Sequence, residues 1–267
     1  MSRDLQPLGD CIGTDTNGFL QKTVSRDTVQ PELLPLIQQI IETATSVFGD
    51  NLHSLYVRGS VAKSTFIPNI SDLDTVVVTR TDCGDESEQS YIESVKKIEL
   101  GYPEVHGIEK GIRTVKEFVD SGNPIFKYQT VCVYGDDLAE RMPVMKPGKD
   151  TTVHLPKVLE RLGAAQKSVP DMSKERLQSY SIWICKQAIR SCHELLAEQL
   201  QQFARDIYPC YKAAADAWPD QEPLLRQTAE VAIFGTQDKD ELLEIINQIK
   251  SLLEPKIHKF YRYSDHA

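Results

Sequence analysis

Ser71-Asp72-Leu73-Asp74 follows the pair Gly59-Ser60 by eleven residues. Two carboxylates separated by one residue on a strand point to the same face. Magnesium takes oxygen ligands and favours a few carboxylates together with substrate phosphates, so the doublet suits a divalent ion held beside a triphosphate. Carboxylates this close repel one another, and a bound cation relieves that cost. Gly lets backbone approach a phosphate closely. Ser60 offers a hydroxyl, and an N–H at the start of a helix, to the same phosphate oxygen. Each feature alone has a plain structural reading: a solvated strand end for the doublet, a Ser-capped turn for the pair. Together, at this spacing, they point to chemistry on a nucleotide.

The flanking residues supply the elements that must position them. Leu55-Tyr56-Val57-Arg58-Gly59-Ser60 reads as a strand entering a tight turn, and Thr75-Val76-Val77-Val78 is a β-branched run that suits a buried strand. The order is therefore strand, Gly-Ser turn, short helix, acidic strand. Ahead of it, Pro31 opens a helix in which Leu33, Leu34, Ile37, Ile40, Ile41 and Ala44 recur at helical spacing up to Gly49. Behind it, 82–90 reads as a solvated acidic loop, then a helix spans about 91–100. A third strand falls at 105–115, a further apolar run at 128–134 ends at Gly135, and Asp136-Asp137 looks like a helix cap.

Residues 1–30 are polar and read as an irregular arm, and 31–145 as an α/β domain. Segment 146–173 reads as a linker carrying one short helix around 157–162; over 146–176 there are seven Lys/Arg against four acids. From 174 to 267 the pattern is helical, with one long helix over about 174–205 and shorter ones at 210–217, 222–233 and 238–253. The whole predicts an α+β chain: a small mixed β-sheet domain with flanking helices, followed by an all-helical domain.

Acids outnumber Lys plus Arg by 39 to 30, a formal charge of −9. That balance disfavours broad nucleic-acid binding, which depends on neutralising phosphates, and suits a cationic small molecule or a protein partner. The six cysteines form no CxxC and no zinc spacing, so they read as free thiols in a reducing compartment. Without a signal pattern or a spanning run, the expectation is a cytoplasmic protein with no membrane contact.

Arg58-Gly59-Ser60-Val61-Ala62-Lys63, followed by Ser71-Asp72-Leu73-Asp74, resembles the signature of the DNA polymerase beta-like nucleotidyltransferase superfamily. The branch it most resembles holds the bacterial aminoglycoside and minimal nucleotidyltransferases. Val131-Cys132-Val133-Tyr134-Gly135-Asp136-Asp137-Leu138 is similar to the segment that closes the catalytic domain there. Arg205-Asp206-Ile207-Tyr208-Pro209-Cys210-Tyr211 resembles helical sequences that accompany it. The resemblance implies that 31–145 is the nucleotidyltransferase domain. It implies transfer of a nucleoside monophosphate from a triphosphate, ATP by default, to a hydroxyl acceptor with loss of pyrophosphate. Asp72 and Asp74 would bind two Mg2+ ions, and Gly59 and Ser60 the triphosphate tail. Lys63 fits the small basic pattern that follows the Ser. Family members usually carry Gly where this chain has Ser64, a departure that bears on the loop that follows. The superfamily's third carboxylate lies on a later strand. Glu109 fits, flanked on its face by Gly107 and Gly111; it would complete the metal site or take the acceptor's proton. Glu104 is the alternative, and a surface pair of Glu109 with Lys110 or Arg113 is the competing reading.

In the helical part, Lys186 and Arg190 share a helix face and either grip β- and γ-phosphates or are solvated. Arg205 and Asp206 either orient the acceptor or, for Asp206, cap the next helix. The acidic balance favours an aminoglycoside-like acceptor. The competing readings are a macromolecular acceptor, a tRNA end or a protein side chain, with 146–176 as RNA contact, and a non-catalytic binding module.

Overall fold

The computed structural model describes residues 4–264; Met1, Ser2 and Arg3 of the expected arm, and Asp265, His266 and Ala267 of the expected helical domain, lie outside them. In chain order the elements are β1 (Cys11–Ile12), α1 (Leu34–Phe48), β2 (Leu52–Arg58), α2 (Gly59–Ala62), β3 (Leu73–Thr79), α3 (Gly84–Glu99), β4 (Ile108–Thr114), α4 (Val115–Asp120), α5 (Pro124–Tyr128) and β5 (Thr130–Gly135). Then come α6 (Leu155–Ser168), α7 (Lys174–Glu194), α8 (Ala197–Leu200), β6 (Phe203–Ala204), α9 (Ile207–Ala217), α10 (Glu222–Phe234) and α11 (Lys239–Ser264). The chain forms two compact units, Lys22–Val144 and Met1–Gln21 with Met145–Ala267. The class is α+β, with a small mixed sheet in the first unit and helices dominating the second.

In the first unit the strand order is β4-β3-β2-β5. β2 lies antiparallel to both β3 and β5, while β3 and β4 are parallel. Alternation splits the side chains between the two faces. Leu55, Val57, Leu73 and Val77 pack with Ile37, Ile40 and Ala44 of α1 and Tyr91 and Val95 of α3 in one buried cluster. On the opposite face Tyr56 stacks on Phe118 of α4, which stacks on Phe126 of α5. α4 starts at a capping box in which Thr114 and Glu117 satisfy each other's backbone N–H groups.

From residue 84 on, the expected acidic loop at 82–90 is instead the first half of α3. Asp85 and Glu86 occupy its first turn, where negative charge complements the helix dipole. Thus the polarity that suggests a loop belongs to a helix start.

The second unit is built on a cluster that includes Leu155, Val158 and Leu162 of α6, Ile184, Ala188 and Ile189 of α7, and Leu242, Ile245 and Ile249 of α11. Segment 146–173, expected as a linker, therefore supplies a 14-residue core helix. Residues 4–21, expected as part of an irregular arm, pack in this unit, with β1 pairing antiparallel to β6. The long helix expected over 174–205 stops at Glu194, and α8 follows as a separate turn.

Candidate active site

β2 ends on Arg58 and the chain enters the turn at Gly59. Gly59 has φ +69°, and a Cβ there would overlap Asp74 Oδ2. Both facts require glycine, and they place the Asp74 carboxylate directly over the turn. Asp72, exposed, lies just ahead of β3, near enough for its charge to act on Asp74. α2 holds only four residues, so the turn offers N–H groups rather than a full helix dipole. Ser60 Oγ is buried and has no hydrogen-bond partner. A buried hydroxyl without a partner is costly, which marks it as available to a ligand oxygen.

Sheet register builds the charged row. Arg58 is opposite Asp74, and Asp74 is opposite Glu109, so the three side chains share one face across β2, β3 and β4. Arg58 Nη2 donates to Glu109 Oε2 at 2.6 Å and lies 3.2 Å from Asp74 Oδ1. Arg58 Nε is buried without a partner. Burial pushes the Asp74 carboxyl up to about 7. Its hydrogen bond with Glu109 adds to the rise, the Arg58 charge opposes it, and the charges of Asp72 and Glu109 add to it again. Glu109 is held below the ordinary carboxylate range, first by its hydrogen bond with Asp74 and then, against the effect of burial, by Arg58. The two carboxyls interact closely and titrate as a pair.

Glu109 pairs with Arg58; Lys110 pairs with Glu99 at 2.9 Å instead. Glu104 precedes β4, and its carbonyl accepts from Asn69 N–H. The loop between α2 and β3 is closed by Ser71, whose Oγ accepts from Ile67 N–H at 3.0 Å. Ser64 adopts φ +58°, the left-handed region that favours glycine. Lys63 caps α2 through its backbone N–H, which bonds to the Gly59 and Ser60 carbonyls. Sequence reasoning gave Arg58 no role. No local signal marks it, because its partners are set by the register of β2 with β3 and of β3 with β4.

Lys186 and Arg190 lie in the helical unit, on α7. Both are half-buried, and Arg190 Nε donates to the Arg205 carbonyl at 2.8 Å. Burial lowers His154 to about 3, and the charges of Arg205, Arg190 and Arg161 lower it further, so a cationic cluster surrounds it. Glu194 accepts hydrogen bonds from Val153, His154 and Leu155 N–H groups, capping α6 from another helix. Asp206 does not cap α9 with its side chain; its carboxylate accepts from Asp10 N–H at 3.0 Å. Sequence reasoning did not find His154 or Glu194, because their partners lie about forty residues away in the chain.

Among the described residues no group of three or more His, Cys, Asp or Glu is gathered around a metal position. The donors nevertheless fit a hard divalent cation. They are all carboxylate oxygens, and they adjoin an unpartnered hydroxyl and a turn in which a Cβ would block the approach.

The fold is that of a nucleotidyltransferase. No family model and no curated protein sequence matches the chain. Among solved structures it is similar to the spectinomycin adenyltransferase AAD(9) from Enterococcus faecialis, crystallised with ATP and spectinomycin. That match has a TM-score of 0.58 and 17% identity, over 83% of this chain and 99% of the other.

Proposed function

We propose that this protein transfers AMP from ATP to a hydroxyl of a small-molecule acceptor and releases pyrophosphate. One observation carries the reading: the Asp74 carboxylate sits directly over the Gly59 turn, beside the unpartnered Ser60 hydroxyl. The acid row and the glycine turn meet at one end of the sheet, where carboxylate oxygens, backbone N–H groups and a hydroxyl converge. A neighbour in fold that was crystallised with ATP supports the donor.

Asp72 and Asp74, with Glu109 beside them, would hold Mg2+. Bound there, the metal would neutralise the triphosphate and make the attacking hydroxyl more acidic. Gly59 admits a phosphate against the backbone, and Ser60 Oγ donates to it. Lys63 is assigned to phosphate on charge and spacing. Glu109, ionised at neutral pH, takes the acceptor's proton on a carboxylate oxygen, while Arg58 fixes its orientation. Displacement at the α-phosphorus then depends mainly on positioning and charge stabilisation.

For the acceptor, a cationic aminoglycoside-like molecule suits a chain of formal charge −9, and the similar structure holds spectinomycin. The test is incubation with α-labelled ATP, GTP, CTP and UTP, Mg2+, and aminoglycosides, total tRNA or lysate as acceptors. Label from ATP on an aminoglycoside supports the proposal. Label on tRNA or protein moves the acceptor to a macromolecule, and no label on any acceptor contradicts transfer.

A further inference from the structure

We propose that Arg58 is a resident cation of this carboxylate site, so that one divalent ion rather than two accompanies the nucleotide. The inference rests on the nucleotidyl-transfer reading and refines its metal count. An ion shared by Asp74 and Glu109 would have to lie within about 2.1 Å of an oxygen from each. That position is taken: Arg58 Nη2 lies 3.2 Å from Asp74 Oδ1 and 2.6 Å from Glu109 Oε2.

The guanidinium is no chance neighbour. Register places Arg58 opposite Asp74, and Asp74 opposite Glu109, on three adjacent strands, so the backbone itself delivers the cation to the gap. Arg58 and Asp74 are largely buried, at 21% and 17% side-chain exposure. A guanidinium keeps its charge at any working pH and bonds carboxylates in a fixed fork. Expelling it would strand a buried charge whose Nε already lacks a partner. Asp74 meets the guanidinium through Oδ1 while its Oδ2 lies against the Gly59 turn, and Asp72, just ahead of β3, is exposed. One ion on Asp72 and Asp74 next to the phosphate turn is thus compatible with Arg58 in place, and a second between Asp74 and Glu109 is not.

The experiment counts bound Mn2+ by electron paramagnetic resonance at saturating α,β-methylene-ATP, for wild type, Arg58→Met and Arg58→Lys, with circular dichroism to verify folding. The expected counts per chain are one in wild type, two in Arg58→Met and one in Arg58→Lys. Two ions in wild type, or one in folded Arg58→Met, overturns the inference while leaving nucleotide transfer standing. If Arg58→Met does not fold, the wild-type and Arg58→Lys counts decide, and two in either overturns it. If neither Mn2+ nor the analogue binds to wild type, the nucleotidyl-transfer reading fails and the inference falls with it.

Discussion

A single carboxylate, Asp74, sets the electrostatics of the acidic face. Its folded value of about 7 stands above the ordinary carboxylate value because burial disfavours the charged form. Between the two values the folded state holds a proton that the unfolded state has lost. This contribution therefore costs stability progressively as pH rises from about 4 to about 7. Asp74→Asn has no such proton, so the melting temperature of wild type should fall relative to the variant across that window; parallel curves would contradict the assignment. Gly59 is equally constrained. Gly59→Ala forces a Cβ into Asp74 at a positive φ and should cost about 1–2 kcal/mol from the backbone alone. Binding of an ATP analogue should be lost in calorimetry with it. The doublet and the Gly-Ser pair were legible in the sequence because their spacing is local. Arg58 was not, since its role exists only through the register of β2 with β3 and of β3 with β4.

At the level of elements, the loop between α2 and β3 carries a cost in its own sequence. Ser64 sits at φ +58°, so the Gly expected there by resemblance has a physical reason. Ser64→Gly relieves the strain but frees the unfolded chain, and should stabilise by roughly 0.5–1 kcal/mol in urea denaturation. In the other unit, Glu194 anchors the start of α6 through three backbone N–H groups. Glu194→Gln should destabilise by roughly 1–3 kcal/mol, and a change within error would remove this cap as a support. Strands β2 and β3 were readable because β-branched runs are strong local signals. The full length of α6 was obscured by Pro156 and Gly163, so that only 157–162 was expected as helix, although Leu155, Val158, Leu162 and Ala165 keep helical spacing on its buried face. The acids of α3 were taken for a loop because charge marks a solvated helix start and a solvated loop alike.

For the whole molecule, acid should act chiefly through the helical unit. Burial lowers His193 to about 4 and His154 to about 3. Both are neutral in the folded state and bind protons below about 6.5 once unfolded, so stability falls as pH drops from about 6.5 toward 4. A urea midpoint that declines over this range, less steeply in His193→Leu, is expected; identical slopes would contradict it. The pairing of β1 with β6, which ties residues 11–12 to 203–204, had no sequence signature, because two-residue strands carry no period. Among the described residues no helix is long and apolar enough to cross a membrane. The α+β class itself was legible from the change of period after about residue 173.

The central claim is that Asp72 and Asp74 serve nucleotide chemistry at the Gly59-Ser60 turn. Transfer of label from α-labelled ATP, measured for wild type, Asp72→Asn and Asp74→Asn with folding verified for each, tests it most directly. The account predicts that each variant loses about a thousandfold or more in rate, as removal of several kcal/mol of charge stabilisation requires. Transfer by either folded variant at a rate near that of wild type would contradict it.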